Sequence, residues 1–227
     1  MLFNVVFMSF LKKNWAWILV VLLAFLPLIN IFSFVSFNFS NSDFDMILFD
    51  DYEVPEHIAE KIGFDIVPGV KVTIHSTGEW AIRWMIAVLM ITPFRIVFGT
   101  KSNLYVRQAM GISCGVYVML HGFFFMYHEG FFAMFTEVNL VLAVLASVII
   151  IILTLTSNRR AMKYFKKRWK KMHRIVYWAA VLSILHVVLL GEGWMLYGIL
   201  FSLGLIVRFG PVREWFDARK FKLAKAL

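Results

Sequence analysis

Six apolar runs, each close to the length that crosses a bilayer, restrict this sequence to one structural class: Asn14 to Phe34, Glu79 to Phe98, Leu104 to Tyr127, Val138 to Ser157, Arg174 to Leu190 and Gly193 to Phe209. A hydrocarbon core of roughly 30 Å needs about 20 helical residues to cross it. Lipid offers backbone polar groups no partner outside the helix itself, so the runs predict membrane-spanning helices. Composition agrees, because 61% of the 227 residues are hydrophobic, more than a soluble domain of this size would carry. The first run follows Lys12 and Lys13 like a secretory signal, yet no small-x-small cleavage site follows it, which predicts a retained helix.

Charge gives the helices a direction. Lys12 and Lys13 precede the first run, Arg95, Lys101 and Arg107 surround the second connection, and Arg159, Arg160, Lys163, Lys166, Lys167, Arg168, Lys170 and Lys171 fill the fourth. These connections share one side, and the excess of Lys and Arg makes it cytoplasmic. Arg213, Arg219, Lys220, Lys222 and Lys225 of the tail fall on the same side. Asp43, Asp45, Asp50, Asp51, Glu53, Glu56, Glu60, Asp65, Glu129, Glu137 and Glu192 fall on the other. The expected fold is an all-α, six-helix transmembrane bundle with both termini cytoplasmic and one longer acidic periplasmic loop between the first two helices. It divides into an N-terminal helix over 1–37, the loop over 38–78, a five-helix core over 79–210 and a basic tail over 211–227. The net charge of +9 is mostly a topology signal. The basic connection meets lipid headgroups, or docks an acidic partner or anionic lipid. No groove-reading motif accompanies the charge, so nucleic acid is not an expected partner.

Cys114 stands alone, which excludes a disulfide, a cysteine metal site and covalent C-x-x-C-H haem attachment. Any metal or haem must be held by histidines. His121 and His186 lie in the outer halves of two helices that run in the same direction, His173 lies at the inner end of the fifth run, and His75 is expected just before the second helix. At about 1.5 Å per residue, His173 and His186 differ in depth by roughly 20 Å. Facing imidazoles at matched depth suit the two axial positions of a b-type haem. The alternative is that each bonds a carbonyl or hydroxyl on a neighbouring helix. Arg83, about one turn into the second run, has Glu79 at i−4 for a partner or would meet haem propionates.

The acidic stretch from Asn38 to Ile74 carries eight carboxylates against Lys61 and Lys71. Pro55 with E-H-I-A-E-K-I predicts a short helix, and P-G-V-K-V-T after it predicts a turn and strand. The stretch is either a solvated loop or a docking cap for a basic electron-accepting partner.

Seven segments occur in an order that resembles a known family: H-S-T-G-E-W-A at 75–81, M-I-T-P at 90–93, V-R-Q-A-M-G at 106–111, L-H at 120–121, L-T-S at 155–157, W-K-K-M-H at 169–173 and I-L-H at 184–186. The sequence is similar to the MsrQ (YedZ) family, the haem-binding membrane subunits of periplasmic methionine sulfoxide reductase systems, within the ferric-reductase-like transmembrane superfamily. The similarity spans about residues 70–190. It implies a bacterial inner-membrane, multi-pass protein that carries electrons through haem b from a cytoplasmic flavin reductase or quinol to a periplasmic acceptor protein. FMN or quinone is a further candidate cofactor. By position, His121 and His186 match the family's haem-ligating histidines, and His173 and His75 match further family histidines. Two-haem members of the superfamily place two histidines on each of two helices. Here the position thirteen residues before His121 is Gln108, so a second haem would need His173 with another partner, or His75 if the preceding loop folds inward.

After the sixth run only the basic tail follows, and no Gly-rich dinucleotide fingerprint is present, so electrons are expected from a separate flavoprotein or from quinol. A quinol site would lie near Arg107, Gln108 and His173. Two other readings stand beside the electron carrier: a ferric or cupric reductase at the outer surface, and a non-redox structural subunit of a larger membrane complex.

Overall fold

The computed structural model describes residues 2–38, 47–63, 65–100, 103–191 and 193–226. Asp43, Asp45, Lys101 and Glu192, whose charges helped to set the directions above, lie outside the described residues. The chain opens with α1 (Leu2–Phe32), then β1 (Val35–Phe37), β2 (Ile47–Phe49), β3 (Tyr52–Glu53), α2 (Glu56–Ile62) and β4 (Ile66–Val67). The long helices α3 (Gly69–Phe98), α4 (Leu104–Glu129) and α5 (Val138–Leu155) follow. Next come α6 (Arg159–Phe165), α7 (Lys167–Met172), a 3-10 turn at His173–Ile175, α8 (Val176–Leu189), α9 (Trp194–Arg208) and α10 (Gly210–Ala226).

Five stretches are long and apolar enough to cross a membrane: Asn14–Phe32, α3, α4, α5 and Lys167–Leu189. The 15-residue α9 joins α10 through a bend of 71°, and the two make a sixth only if counted as one span. The molecule is a multi-pass helical membrane protein. Its outer surface follows the same logic, since Leu26, Phe98 and Leu155 expose 61%, 65% and 70% of their surface. In water such a surface would be an association hazard, whereas lipid accepts it.

Helix α3 is the centre of the bundle, packed against α4, α9, α1 and α8. Met85, Tyr117, Ala109, Ala179 and Ala180 are nearly or fully buried between these helices. Two polar contacts fix the packing where prolines interrupt helices. Pro93 cannot donate to the Leu89 carbonyl, and the Arg208 guanidinium of α9 donates to that carbonyl instead. Tyr117 Oη donates to the Ala24 carbonyl at 2.6 Å, one turn before Pro27 of α1.

The second span begins well before Glu79. P-G-V-K-V-T is not a turn and strand: Gly69 opens α3, and His75 lies inside the helix rather than ahead of it. The cause is tertiary. Pro68 stands at the helix N-cap, and Asp51, eighteen residues upstream, accepts a hydrogen bond from the Gly69 N–H at 3.3 Å. A carboxylate there satisfies an otherwise orphaned donor and favours the positive end of the helix dipole. The polar residues Lys71, His75, Ser76 and Glu79 lowered the local hydropathy, yet they line a cavity within the bundle.

The loop preceding α3 forms two small antiparallel ladders, β1 with β2 and β3 with β4. It is anchored on the end of α4, where Tyr127 Oη accepts from the Ile47 N–H at 3.2 Å and Phe49 stacks edge-on against Phe124. The expected short helix after Pro55 is α2.

Candidate functional site

A cavity of about 910 Å³ opens between α3, α4, α5, α8 and α9 and is lined by four imidazoles, His75, His121, His128 and His186. Small side chains face it at Gly78, Ala143, Ala146 and Ser147, with Met85, Val118 and Ile150 deeper in. That volume lies within the range of about 300–1,000 Å³ common for ligand and cofactor sites.

Two of the four rings, His121 and His186, are set by backbone carbonyls. His121 Nδ1 lies 2.9 Å from the Ile74 carbonyl of α3, and His186 Nδ1 lies 2.9 Å from the Asn139 carbonyl of α5. A carbonyl only accepts, so each Nδ1 carries the hydrogen and each Nε2 is the basic nitrogen. This is the arrangement in which a histidine serves as a metal ligand, with the other ring nitrogen donating to a carbonyl. The sequence alternatives of iron ligation and carbonyl bonding are therefore compatible, because they use different nitrogens of one ring.

Gly78 completes the seat of His121. A methyl group built there would fall 2.9 Å from Cε1 and 3.0 Å from Nδ1 of His121. Only a residue without Cβ lets α3 pass so close to the imidazole. Thr77, fully buried beside it, donates from Oγ1 to the Thr73 carbonyl at 2.8 Å and the Ile74 carbonyl at 2.9 Å.

Arg83 is directed at Glu79 and lies over Trp80 at 4.7 Å. Glu79 itself lines the cavity, so Arg83 reaches it through this carboxylate.

His173 sits apart, in a second cavity of about 650 Å³ shared with Arg107, Gln108, Ser157 and Arg208. Its Nδ1 lies 3.1 Å from the Trp169 carbonyl, which makes Nε2 the acceptor, and Ser157 Oγ lies 3.3 Å from that Nε2. The ring stacks on Trp169 with centroids 3.9 Å apart. Gln108 Nε2 donates to the Ser157 carbonyl. Gln108 and His173 thus meet through Ser157. The 3-10 turn at His173–Ile175 interrupts the helical phase between His173 and His186, as a frayed helix start would.

Comparison with known proteins fits this arrangement. A family model described as ferric reductase like transmembrane component matches residues 77–184. The protein-methionine-sulfoxide reductase haem-binding subunit MsrQ of Rhizobium meliloti is 34% identical over 163 residues, covering 66% of this chain and 74% of the relative. The chain belongs to the MsrQ family. MsrQ of Brucella anthropi is 28% identical over 132 residues, 55% of this chain and 60% of the relative. MsrQ of Agrobacterium fabrum is 28% identical over 143 residues, 60% of this chain and 66% of the relative. No solved structure matches.

Several site residues of this MsrQ-family chain escaped the sequence reading. Gly78 lay in the H-S-T-G-E-W-A motif, but the second run was read from Glu79, so its place inside a helix was not visible. Asn139 and Ile74 act through their carbonyls, which no side-chain pattern reveals. Ser157 lay in a motif, but its place between Gln108 and His173 depends on how α4, α5 and the 3-10 turn meet.

Proposed function

We propose that this protein is a haem b-carrying transmembrane electron-transfer subunit that passes electrons from a cytoplasmic flavoprotein or quinol to a periplasmic methionine sulfoxide reductase, across the bacterial inner membrane. The observation that carries the reading is the outer cavity, where His121 and His186 arrive from two helices with Nδ1 committed to carbonyls and Nε2 basic. Among the described residues no three His, Cys, Asp or Glu side chains converge to hold a bare metal ion. Two imidazoles in an apolar cavity suit an iron whose remaining ligands come from a porphyrin. When bound, haem supplies a one-electron carrier, and ligation by both histidines leaves no open coordination position, which favours electron transfer over oxygen binding. His121 and His186 hold and orient the group, Gly78 and Ala146 leave room for it, and the apolar wall keeps water away. His75 and His128 add two further imidazoles to the wall, and Glu79 with Arg83 sets the charge beside it. This reading has one haem per chain in the outer cavity, while His173, with Ser157 Oγ 3.3 Å from its Nε2, lines the separate inner cavity.

The topology in this reading has six spans, with α9 and α10 as the last, and both termini on the basic, cytoplasmic side. The loop of β1–β4 and α2 then covers the periplasmic end, beside the outer cavity, where an acceptor protein would dock.

Gly78→Ala tests the seat of His121. The added methyl group is expected to push the ring from the Ile74 carbonyl and lower haem content, by roughly the 10–100-fold in affinity that a lost supporting hydrogen bond costs. Helix content by circular dichroism should stay unchanged. Full haem retention in Gly78→Ala would remove the proposed packing constraint.

The family description favours a second reading, a ferric reductase, in which Glu79 and Glu129 at the outer cavity would attract cations. Vesicles containing the full-length, haem-supplied protein decide between the readings. With reduced flavin outside and ferricyanide trapped inside, electron transfer is expected to exceed that of protein-free vesicles and to disappear in His186→Ala. Rapid reduction of chelated ferric ion by the isolated protein would favour the reductase. No electron transfer at all would leave a structural subunit.

A further inference from the structure

We propose that the inner cavity binds a phosphoryl group, carried by either an anionic membrane phospholipid or a soluble phosphate. Four cations line it: Arg107 from α4, Lys170 from α7, Arg174 from the 3-10 turn and Arg208 from α9. No Asp or Glu lines it, and none of the four cations forms an ion pair among the described residues. Arg107 and Arg208 are partly withdrawn from solvent, where positive charge without a counter-ion is costly and an anionic ligand removes the cost, while Lys170 and Arg174 add exposed charge at the mouth.

Arg107 points to the same conclusion at the level of single atoms. One of its terminal nitrogens donates to Thr92 Oγ1 at 2.9 Å, whereas its Nε is buried and has no hydrogen-bond partner. A buried donor left unsatisfied is unfavourable, and a phosphate oxygen is the acceptor that a guanidinium binds best, through paired hydrogen bonds. Arg208 plays a different part. Its guanidinium donates to the Gly204 and Leu89 carbonyls, so it contributes fixed charge while it braces α9 against α3.

The remaining wall suits an amphiphile. Val88, Leu89 and Leu153 are apolar, and Lys170 and Arg174 are exposed where a headgroup would enter. Basic pockets between transmembrane helices on the cytoplasmic face bind anionic headgroups in this manner. A neutral quinol ring would leave all four cations uncompensated. The site rests on the one-haem reading, because His173 lines the same cavity, and it involves neither His121 nor His186.

The test uses full-length protein in neutral detergent, with bound ligand counted by native mass spectrometry. Three ligands are offered: phosphatidylglycerol, phosphatidylcholine and inorganic phosphate. Wild-type protein is expected to retain phosphatidylglycerol in preference to phosphatidylcholine. Arg107→Gln should weaken retention by at least about tenfold, the loss expected for a charge-assisted hydrogen bond. Lys170→Gln/Arg174→Gln, at exposed positions where folding is not in question, should weaken it as well. If inorganic phosphate binds and displaces the lipid, the phosphoryl group comes from a soluble ligand; if it does neither, the lipid is the source. Equal retention of both lipids, unchanged in every variant and with no phosphate bound, would overturn the proposal.

Discussion

His121→Ala and His186→Ala are each expected to strip b-type haem from the purified protein, while His173→Ala leaves the haem-to-protein ratio unchanged. The first two variants remove the nitrogen that is basic because Nδ1 donates to a backbone carbonyl, at Ile74 for His121 and at Asn139 for His186. Loss of a ligand should exceed the roughly 10–100-fold affinity cost of losing a supporting hydrogen bond. His173 differs because Ser157 Oγ already lies 3.3 Å from its Nε2 and Trp169 stacks on its face. Pyridine haemochrome assays on protein made with an adequate haem supply read all three variants. A ratio that falls by half in His173→Ala would mean that the inner imidazole holds a second haem.

Gly115→Ala should be among the most damaging substitutions away from the histidines. A Cβ at Gly115 would overlap Thr154 of α5, whose own hydroxyl is tied to the Ile150 carbonyl at 2.8 Å. Close approach of backbones at small residues is the main source of helix association within lipid, so the methyl group must separate α4 from α5. Overpacking of this kind costs about 1–3 kcal/mol. The measurement is thermal unfolding in detergent, with a lowered transition expected for Gly115→Ala and partial recovery when Thr154→Ala is added. Unchanged stability would show that the two helices separate without loss.

What could be read from the sequence, and what could not, divides along physical lines. Hydropathy reports what lipid requires of a whole helix, so α1, α4, α5 and α8 were visible as apolar runs. The order of motifs from His75 to His186 made the family legible, because each motif keeps its place on its helix. The start of α3 was hidden, since Lys71, His75, Ser76 and Glu79 are polar and line a cavity, and the cap that begins the helix is Asp51 from a distant loop. The end of the chain was only partly legible: α9 is short, and the 71° bend to the polar α10 falls at Phe209-Gly210-Pro211, where a helix break was not read. Arg83 was legible only as a choice between Glu79 and a ligand, and Glu79 is the partner it meets.

At the site, depth placed His121 and His186 in comparable parts of two helices, but depth carries no information on ring orientation. That orientation comes from the Ile74 and Asn139 carbonyls and from the missing Cβ of Gly78, all of them tertiary contacts. The inner cavity illustrates the same limit. Of its four cations, Arg107 and Lys170 read in sequence as topology charges and Arg107 also as part of a quinol site, and only the convergence of all four, with Arg107 Nε left unpartnered, gives them an anionic ligand to explain.

The most direct test of the central claim is the coordination state of the iron, read by low-temperature electron paramagnetic resonance of the oxidised, haem-supplied protein alongside the haemochrome ratio. Ligation by His121 and His186 predicts a low-spin, six-coordinate signal from one haem per chain, lost in either alanine variant. A high-spin, five-coordinate signal, or b-type haem that persists in His121→Ala/His186→Ala, would contradict it.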